Sequence, residues 1–289
     1  MSESSAVASD AYPRTVDSLY GQVTIDRQPE RVVALGESQG SNLISLGVQP
    51  LAVDGDPSQK KPWYPENMNI IDLGKDTFNA NIEAVANLNP DLIIQTGSGS
   101  ESEQQNSQLS NVAPTIANPQ GLGRTWESDI EFLGKAMNKE SEADQLISKG
   151  REDFRQAGIS AGIESGNTYT FAKVSPDGSK FTGANSSILE SFGLTPSEVS
   201  SMSTAYKNDV PLENVSNIAA DYVILVAADD VSSSLESNPA FISALKDSKV
   251  IFWDPKKDSE LMQAITSKSY LQLERSKDGL AEMLFDSRK

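Results

Sequence analysis

Two stretches of this chain each occur twice, and that duplication limits the folds open to it. Residues 41–50 (SNLISLGVQP) reappear at 187–196 (SILESFGLTP), and residues 81–94 (NIEAVANLNPDLII) reappear at 211–224 (PLENVSNIAADYVI). In the first half, residues 31–35 (RVVAL) read as a strand, 36–40 as a polar loop and 41–46 as a short helix with Gly47 as its cap. Residues 48–53 read as the next strand. Residues 82–88 read as a helix stopped by Asn89-Pro90, and 91–95 (DLIIQ) as a buried strand. Alternating strands and helices predict an α/β sheet. A period this long is too great for a solenoid and predicts two lobes of like topology.

Between the two halves lies a helical stretch, residues 125–161. Its pattern positions include Ile130, Phe132, Leu133, Met137, Ile147 and Phe154, and Asn138-Lys139 is a natural break. The later piece, from Glu140 to Gln156, would be roughly 25–30 Å long at ~1.5 Å per residue, enough to bridge two lobes. One more surface helix on a single sheet is the alternative.

Composition removes whole classes of chemistry. The 289 residues contain no cysteine and no histidine. Disulfides, thiolate nucleophiles, Ser-His-Asp arrangements and the usual zinc ligands are therefore all excluded. Acidic residues are plentiful, but no spacing marks a catalytic dyad, so no catalytic residue and no metal site is assigned. The formal charge of −17 argues against nucleic acid and favours solubility. No apolar stretch approaches the ~20 residues of a membrane span. Residues 1–12 (MSESSAVASDAY) read as a flexible tail without a signal peptide. Such a tail suits a tether after a lipid-modified cysteine lying outside this chain, and it suits a cytosolic protein equally.

At this point the chain resembles the iron-siderophore/cobalamin class of ABC-transporter substrate-binding proteins. The resemblance rests on residues 21–35 (GQVTIDRQPERVVAL), Leu46-Gly47-Val48 with Pro50, Ile82-Glu83 followed by residues 88–94 (LNPDLII), and residues 109–115 (LSNVAPT). It runs from about Val16 to Leu284, thinnest over residues 197–207 and after Trp253. It implies two Rossmann-like lobes joined by a single long helix, with the ligand in the cleft between them. On that basis residues 1–15 are a tail, 16–138 the first lobe, 139–162 the linker helix and 163–289 the second lobe. It also implies that Glu83 and Glu213, equivalent in the two repeats, pair with arginines of a permease; a glutamate in a first helical turn also complements the helix dipole. The implied protein is a monomeric, extracytoplasmic carrier, periplasmic or lipid-anchored at the cell surface, and not an enzyme.

Ligands of open α/β sheets sit beyond the carboxyl ends of the strands. Three first-half segments qualify: Glu37, Ser38 and Gln39; Trp63 and Tyr64; and Thr96 and Ser98 in a glycine-rich loop. Arg124 and Trp126 precede the central helix, where a guanidinium beside an aromatic suits an anionic or planar ligand. Lys173, Phe181, Tyr206, Lys207 and Trp253 are the second-half candidates. For the aromatic residues, ordinary core packing is the alternative. Without His or Cys the chain is poorly equipped to grip bare iron, so a preformed Fe(III)-siderophore chelate is the expected ligand, with no cofactor. Haem or cobalamin is the alternative within the class; a surface hydrolase or a structural surface protein is the alternative outside it.

Overall fold

The aliphatic runs VVAL and LIIQ are adjacent parallel strands, and every residue in both is buried, as expected for the middle of a parallel sheet. The computed structural model describes residues 11–55, 58, 60–72, 80–97, 99–201, 209–254, 256–257 and 259–286. The chain divides into two units, Met1–Ser148 with Lys268–Leu271, and Lys149–Ser267 with Gln272–Lys289.

The first unit opens with an antiparallel hairpin, β1 (Arg14–Ser18) and β2 (Gly21–Ile25). Then follow β3 (Val32–Leu35), α1 (Glu37–Ser45), β4 (Ala52–Asp54), β5 (Asn69–Ile71), α2 (Ile82–Asn87), β6 (Leu92–Gln95), α3 (Gly99–Leu109), β7 (Thr115–Ala117) and α4 (Trp126–Met137). The sheet runs β5-β4-β3-β6-β7, all parallel. Strand order reverses between β3 and β6, so the carboxyl ends of these two strands form a topological switch point. The hairpin turn is tied to the end of β7, with the Leu19 N–H donating to the Ala117 carbonyl at 3.0 Å.

Helix α1 starts four residues earlier than its apolar pattern suggested, so the expected polar loop is its first turn. Its buried face there is polar, with Gln39, Ser41 and Asn42 all buried, and hydrophobic periodicity cannot register such a face. Strand β4 starts later than expected, at Ala52, because Val48 is spent closing α1. Asn138 adopts a left-handed conformation (φ 56°) and separates α4 from α5 (Glu140–Ser160). Helix α5 has 21 residues, and the boundary between the units falls inside it.

The second unit holds β8 (Thr168–Val174), β9 (Lys180–Ala184), α6 (Ser187–Ser191), β10 (Thr195–Pro196), α7 (Glu198–Ser201), β11 (Asp209–Pro211) and β12 (Tyr222–Val226). It continues with α8 (Asp229–Glu236), α9 (Pro239–Ala244), β13 (Lys249–Trp253), α10 (Ser259–Thr266) and α11 (Tyr270–Asp286), the last beginning in the segment that belongs to the first unit. The sheet runs β11-β9-β8-β12-β13, with the short β10 also paired to β8. Strands β8, β12 and β13 are parallel, but β9 folds back on β8 as a hairpin. The second sheet is therefore mixed where the duplication predicted a copy of the first.

The duplicated sequences do make duplicated local structure. Gly47 (φ 73°) and Gly193 (φ 102°) end α1 and α6 in conformations that favour glycine. In both, the following residue donates its N–H five residues back, Val48 to Leu43 (2.9 Å) and Leu194 to Leu189 (3.1 Å). Asp91 accepts from the N–H groups of Glu30 and Arg31 (3.0 and 2.9 Å), just ahead of β3. Asp221 accepts from the N–H and hydroxyl of Thr168 (2.7 and 2.8 Å), at the start of β8. The helical copies differ: Asn81 caps α2 by accepting from the Ala84 N–H, whereas Pro211 offers no such acceptor and residues Leu212–Ile218 form a 3₁₀ helix.

Replacing Asp91 or Asp221 with Ala removes two charge-assisted hydrogen bonds in each case. Each variant should lose about 1–2 kcal/mol of stability, a value held down by partial exposure, measured as a shift in the urea midpoint.

Candidate ligand-binding site

At the carboxyl edge of the first sheet, α1 begins directly after β3 on Gly36. That residue has φ 127°, and a Cβ there would lie 2.1 Å from Thr96 Oγ1, so the turn demands glycine. The close approach brings the two sides of the switch point together. The hydroxyls of Thr96 and Ser38 lie 3.2 and 2.9 Å from Gln39 Oε1, and the Gly36 N–H donates to Asp54 Oδ1. Burial raises the Asp54 pKa, opposed by that N–H. Lys61 Nζ sits 3.0 Å from Glu37 Oε1.

The Trp63-Tyr64 segment lies against the same helix. The Trp63 indole N–H donates to Ser41 Oγ at 2.9 Å, which fixes one edge of a half-buried ring. Tyr64 is buried, meets Trp63 edge-on with ring centres 6.3 Å apart, and directs its hydroxyl at the Glu37 carbonyl (3.4 Å). Burial pushes the Tyr64 phenol up to about 12, so it stays protonated at neutral pH. Six of the expected residues, Glu37, Ser38, Gln39, Trp63, Tyr64 and Thr96, thus gather around the start of α1. Ser98 lies outside the described residues.

Arg124 follows the loop after β7 at the same edge of the sheet. Its Nε donates to Asp129 Oδ2 at 3.1 Å and its Nη1 to the Gly121 carbonyl at 3.1 Å. Asn118 Nδ2 donates to Asp129 Oδ1 at 2.8 Å. Asp129 is 1% exposed. It lies in the first turn of α4, whose Thr125 cap and Ser128 form a reciprocal capping box.

Trp126 is a correction. It is fully buried and packs on Tyr270, ring centres 5.5 Å apart, so it belongs to the core of the first unit. Phe181 is likewise fully buried, stacked on Phe241 in the core of the second unit. Trp253 is buried at the end of β13. Trp126 and Phe181 follow the core alternative, since a large ring that removes its whole surface from water has no face left for a ligand; Trp253 keeps 5% of its surface exposed. Lys173 is exposed on β8, and Tyr206 and Lys207 lie outside the described residues. Glu83 and Glu213 are exposed, each one residue into its helix. Sequence reasoning missed Asp54, Asn118, Asp129 and Asn42. The Asn42 amide is fully buried, donates to the Lys268 carbonyl and accepts from the Tyr270 N–H, both at 2.9 Å. Isolated polar residues carry no periodic signal, so nothing in the sequence marked these four.

Residues 32–257 match the family model described as periplasmic binding protein. The chain belongs to that family. Among its relatives, the probable siderophore-binding lipoprotein YfiY of Bacillus subtilis is 30% identical over 155 residues, half of this chain and 45% of YfiY. The ABC transporter substrate-binding lipoprotein YvrC of the same organism is 28% identical over 180 residues, 60% of this chain and 56% of YvrC. The chain thus spans about half the length of these two relatives. The iron-uptake substrate-binding protein PiaA of Streptococcus pneumoniae, in complex with ferrichrome, shares the fold with a TM-score of 0.77 at 23% identity, covering 94% of this chain and 98% of PiaA. The α/β fold read from the sequence is the fold of this family.

Within this family member, burial lifts the Asp129 carboxyl to about 6, against the lowering influence of Arg124, Asn118 and Lys268. The folded-state pKa lies above the unfolded value, so the stability linked to this proton is present below about pH 4 and is lost as pH rises through about 6. Asp129→Asn removes that dependence. Relative to wild type, the variant should gain up to about 3 kcal/mol between pH 4 and pH 7.5, read from urea unfolding at the two pH values.

Proposed function

We propose that this chain is the extracytoplasmic binding component of an ABC importer, and that it captures a ferric siderophore without turning it over. The observation that carries this reading is the cluster at the switch point of the first sheet. There a half-buried indole, hydroxyl and amide groups and a nearby guanidinium line the edge where ligands of this fold class sit. Glu37, Ser38, Gln39, Trp63, Tyr64, Thr96 and Arg124 are its proposed ligand contacts, and Lys173 is a proposed contact from the second unit. Family membership supports the carrier role. The name of YfiY and the ferrichrome bound to PiaA support the ligand class.

Glu83 and Glu213 are the proposed permease contacts. Both carboxylates are exposed at equivalent places in the two repeats, where they can accept charge-assisted bonds from arginines of a partner. The proposed organisation has residues 139–162 as linker helix between lobes 16–138 and 163–289, in a monomer tethered through a lipid outside this chain.

Tryptophan fluorescence tests the ligand. Of the three tryptophans, Trp126 and Trp253 are buried and Trp63 is half-buried, so quenching by an iron chelate should come mainly from Trp63. Titration with ferrichrome, a ferric tris-catecholate and ferric citrate, with haem and cobalamin as controls, should give saturable sub-micromolar quenching by one ferric chelate class. Trp63→Phe should abolish most of the quench and weaken binding about tenfold. Silence of the folded protein toward every chelate would remove the substrate assignment, and quenching by haem or cobalamin alone would replace it. The Glu83→Ala/Glu213→Ala double variant should keep the wild-type Kd and lose most uptake of the labelled chelate in cells; unchanged uptake would refute the docking role.

A further inference from the structure

The ion pair behind Arg124 is more elaborate than stability requires. Asp129 is 1% exposed and Asn118 is also buried, while the Arg124 side chain is 11% exposed. A buried carboxylate costs several kcal/mol in desolvation, and an apolar pair of similar volume commonly serves a core as well or better. What an ion pair supplies that an apolar pair cannot is the orientation of a charged group. Asp129 takes the Nε–H of Arg124, the Gly121 carbonyl takes one N–H of Nη1, and Asn118 holds the other carboxylate oxygen. Two sides of the guanidinium are thereby fixed. Among the described residues the Nη2 group makes no hydrogen bond, so its two N–H donors, with the second N–H of Nη1, are left to meet an incoming acceptor.

The surroundings place this group beside the proposed site. The loop carrying Arg124 leaves the carboxyl end of β7, next to the loop that leaves β6. A Cβ on Gly97 would meet both Leu19 and Ala117, and one on Gly121 would meet Leu19 as well, so the two loops share one neighbour. Lys268 adds a second positive charge near Asp129.

We propose that Asp129, held in turn by Asn118, is a positioning residue that presents the Arg124 guanidinium to an anionic oxygen of the bound iron chelate. The inference rests on the reading that Arg124 contacts the ligand. An arginine already locked in its binding rotamer loses less side-chain entropy on association than a free one. The Asp129 contribution should therefore appear in ligand affinity and pass entirely through Arg124.

A double-mutant cycle tests this with Kd values for ferrichrome and for a ferric tris-catecholate, measured at pH 7.5 on wild type, Asp129→Asn, Arg124→Ala and the double variant. Asparagine has the shape of aspartate and keeps an acceptor oxygen for the Arg124 Nε–H, while Nη1 keeps the Gly121 carbonyl, so the Asn variant should fold. Its melting temperature and circular dichroism check this. Asp129→Asn should weaken binding about tenfold in the wild-type background and less than about twofold beside Arg124→Ala. A merely structural role would weaken binding equally in both backgrounds, and that result overturns the proposal. So does unchanged or tighter binding by Asp129→Asn in the wild-type background. If Arg124→Ala does not fold, Arg124→Lys takes its place; it keeps the charge but loses the planar fork, and the same loss of coupling is expected. Wild-type affinity retained by Arg124→Ala refutes the ligand contact itself. Failure of wild type to bind these two chelates and ferric citrate refutes the siderophore reading, and the positioning role with it.

Discussion

Each sheet is organised around one central pair of parallel strands, and in each pair a carboxylate closes the amino-terminal end. Asp91 joins the start of β6 to the residues before β3, and Asp221 joins the start of β12 to the first residue of β8. These bonds accompany the registers Val32–Leu92 and Tyr169–Tyr222, from which the flanking strands follow. They leave the opposite, carboxyl ends for the helix starts and loops that carry chemistry. In the first unit that end is the switch point, where Gly36 allows Thr96 and Gln39 to meet across β3 and β6.

The candidate site combines two kinds of order. Around α1 the polar groups are held by short-range hydrogen bonds among hydroxyl, amide and indole, leaving Trp63 with part of its ring exposed. Around α4 the order comes from a buried charge. Asp129 is costly to ionise where it sits, and its bonds to Arg124 and Asn118 offset that cost and fix the arginine. A binding protein gains from this arrangement because a rigid site loses little entropy when a ligand arrives.

The duplication made most of the fold legible. Helix ends at Gly47 and Gly193, the strands after Pro90 and Ala220, and the break at Asn138 all appear where pattern and glycine or asparagine chemistry put them. The misreadings share a cause. The first turn of α1 buries polar side chains, the second helical copy lacks a capping acceptor, and β9 enters the second sheet as a hairpin. None of these leaves an apolar period to detect. Among the candidate residues, Glu37 to Gln39, Trp63, Tyr64 and Thr96 gather at one sheet edge because strand ends are visible in sequence. Trp126 and Phe181 went to the core, the stated alternative, because an aromatic near a strand end reads the same whether it faces a ligand or the core.

What the sequence determined by itself was the α/β class, the twofold repetition and the exclusion of thiol and imidazole chemistry, since these depend on local pattern and on which side chains exist at all. Only the tertiary structure decided which aromatic rings are spent on the core. Only it paired Arg124 with Asp129 and Asn118, and tied Asn42 to residues 268–270 far along the chain. The physical reason is that burial and charge pairing belong to neighbours in space. A residue's type fixes what bonds it can make, and folding alone fixes which partner it makes them with.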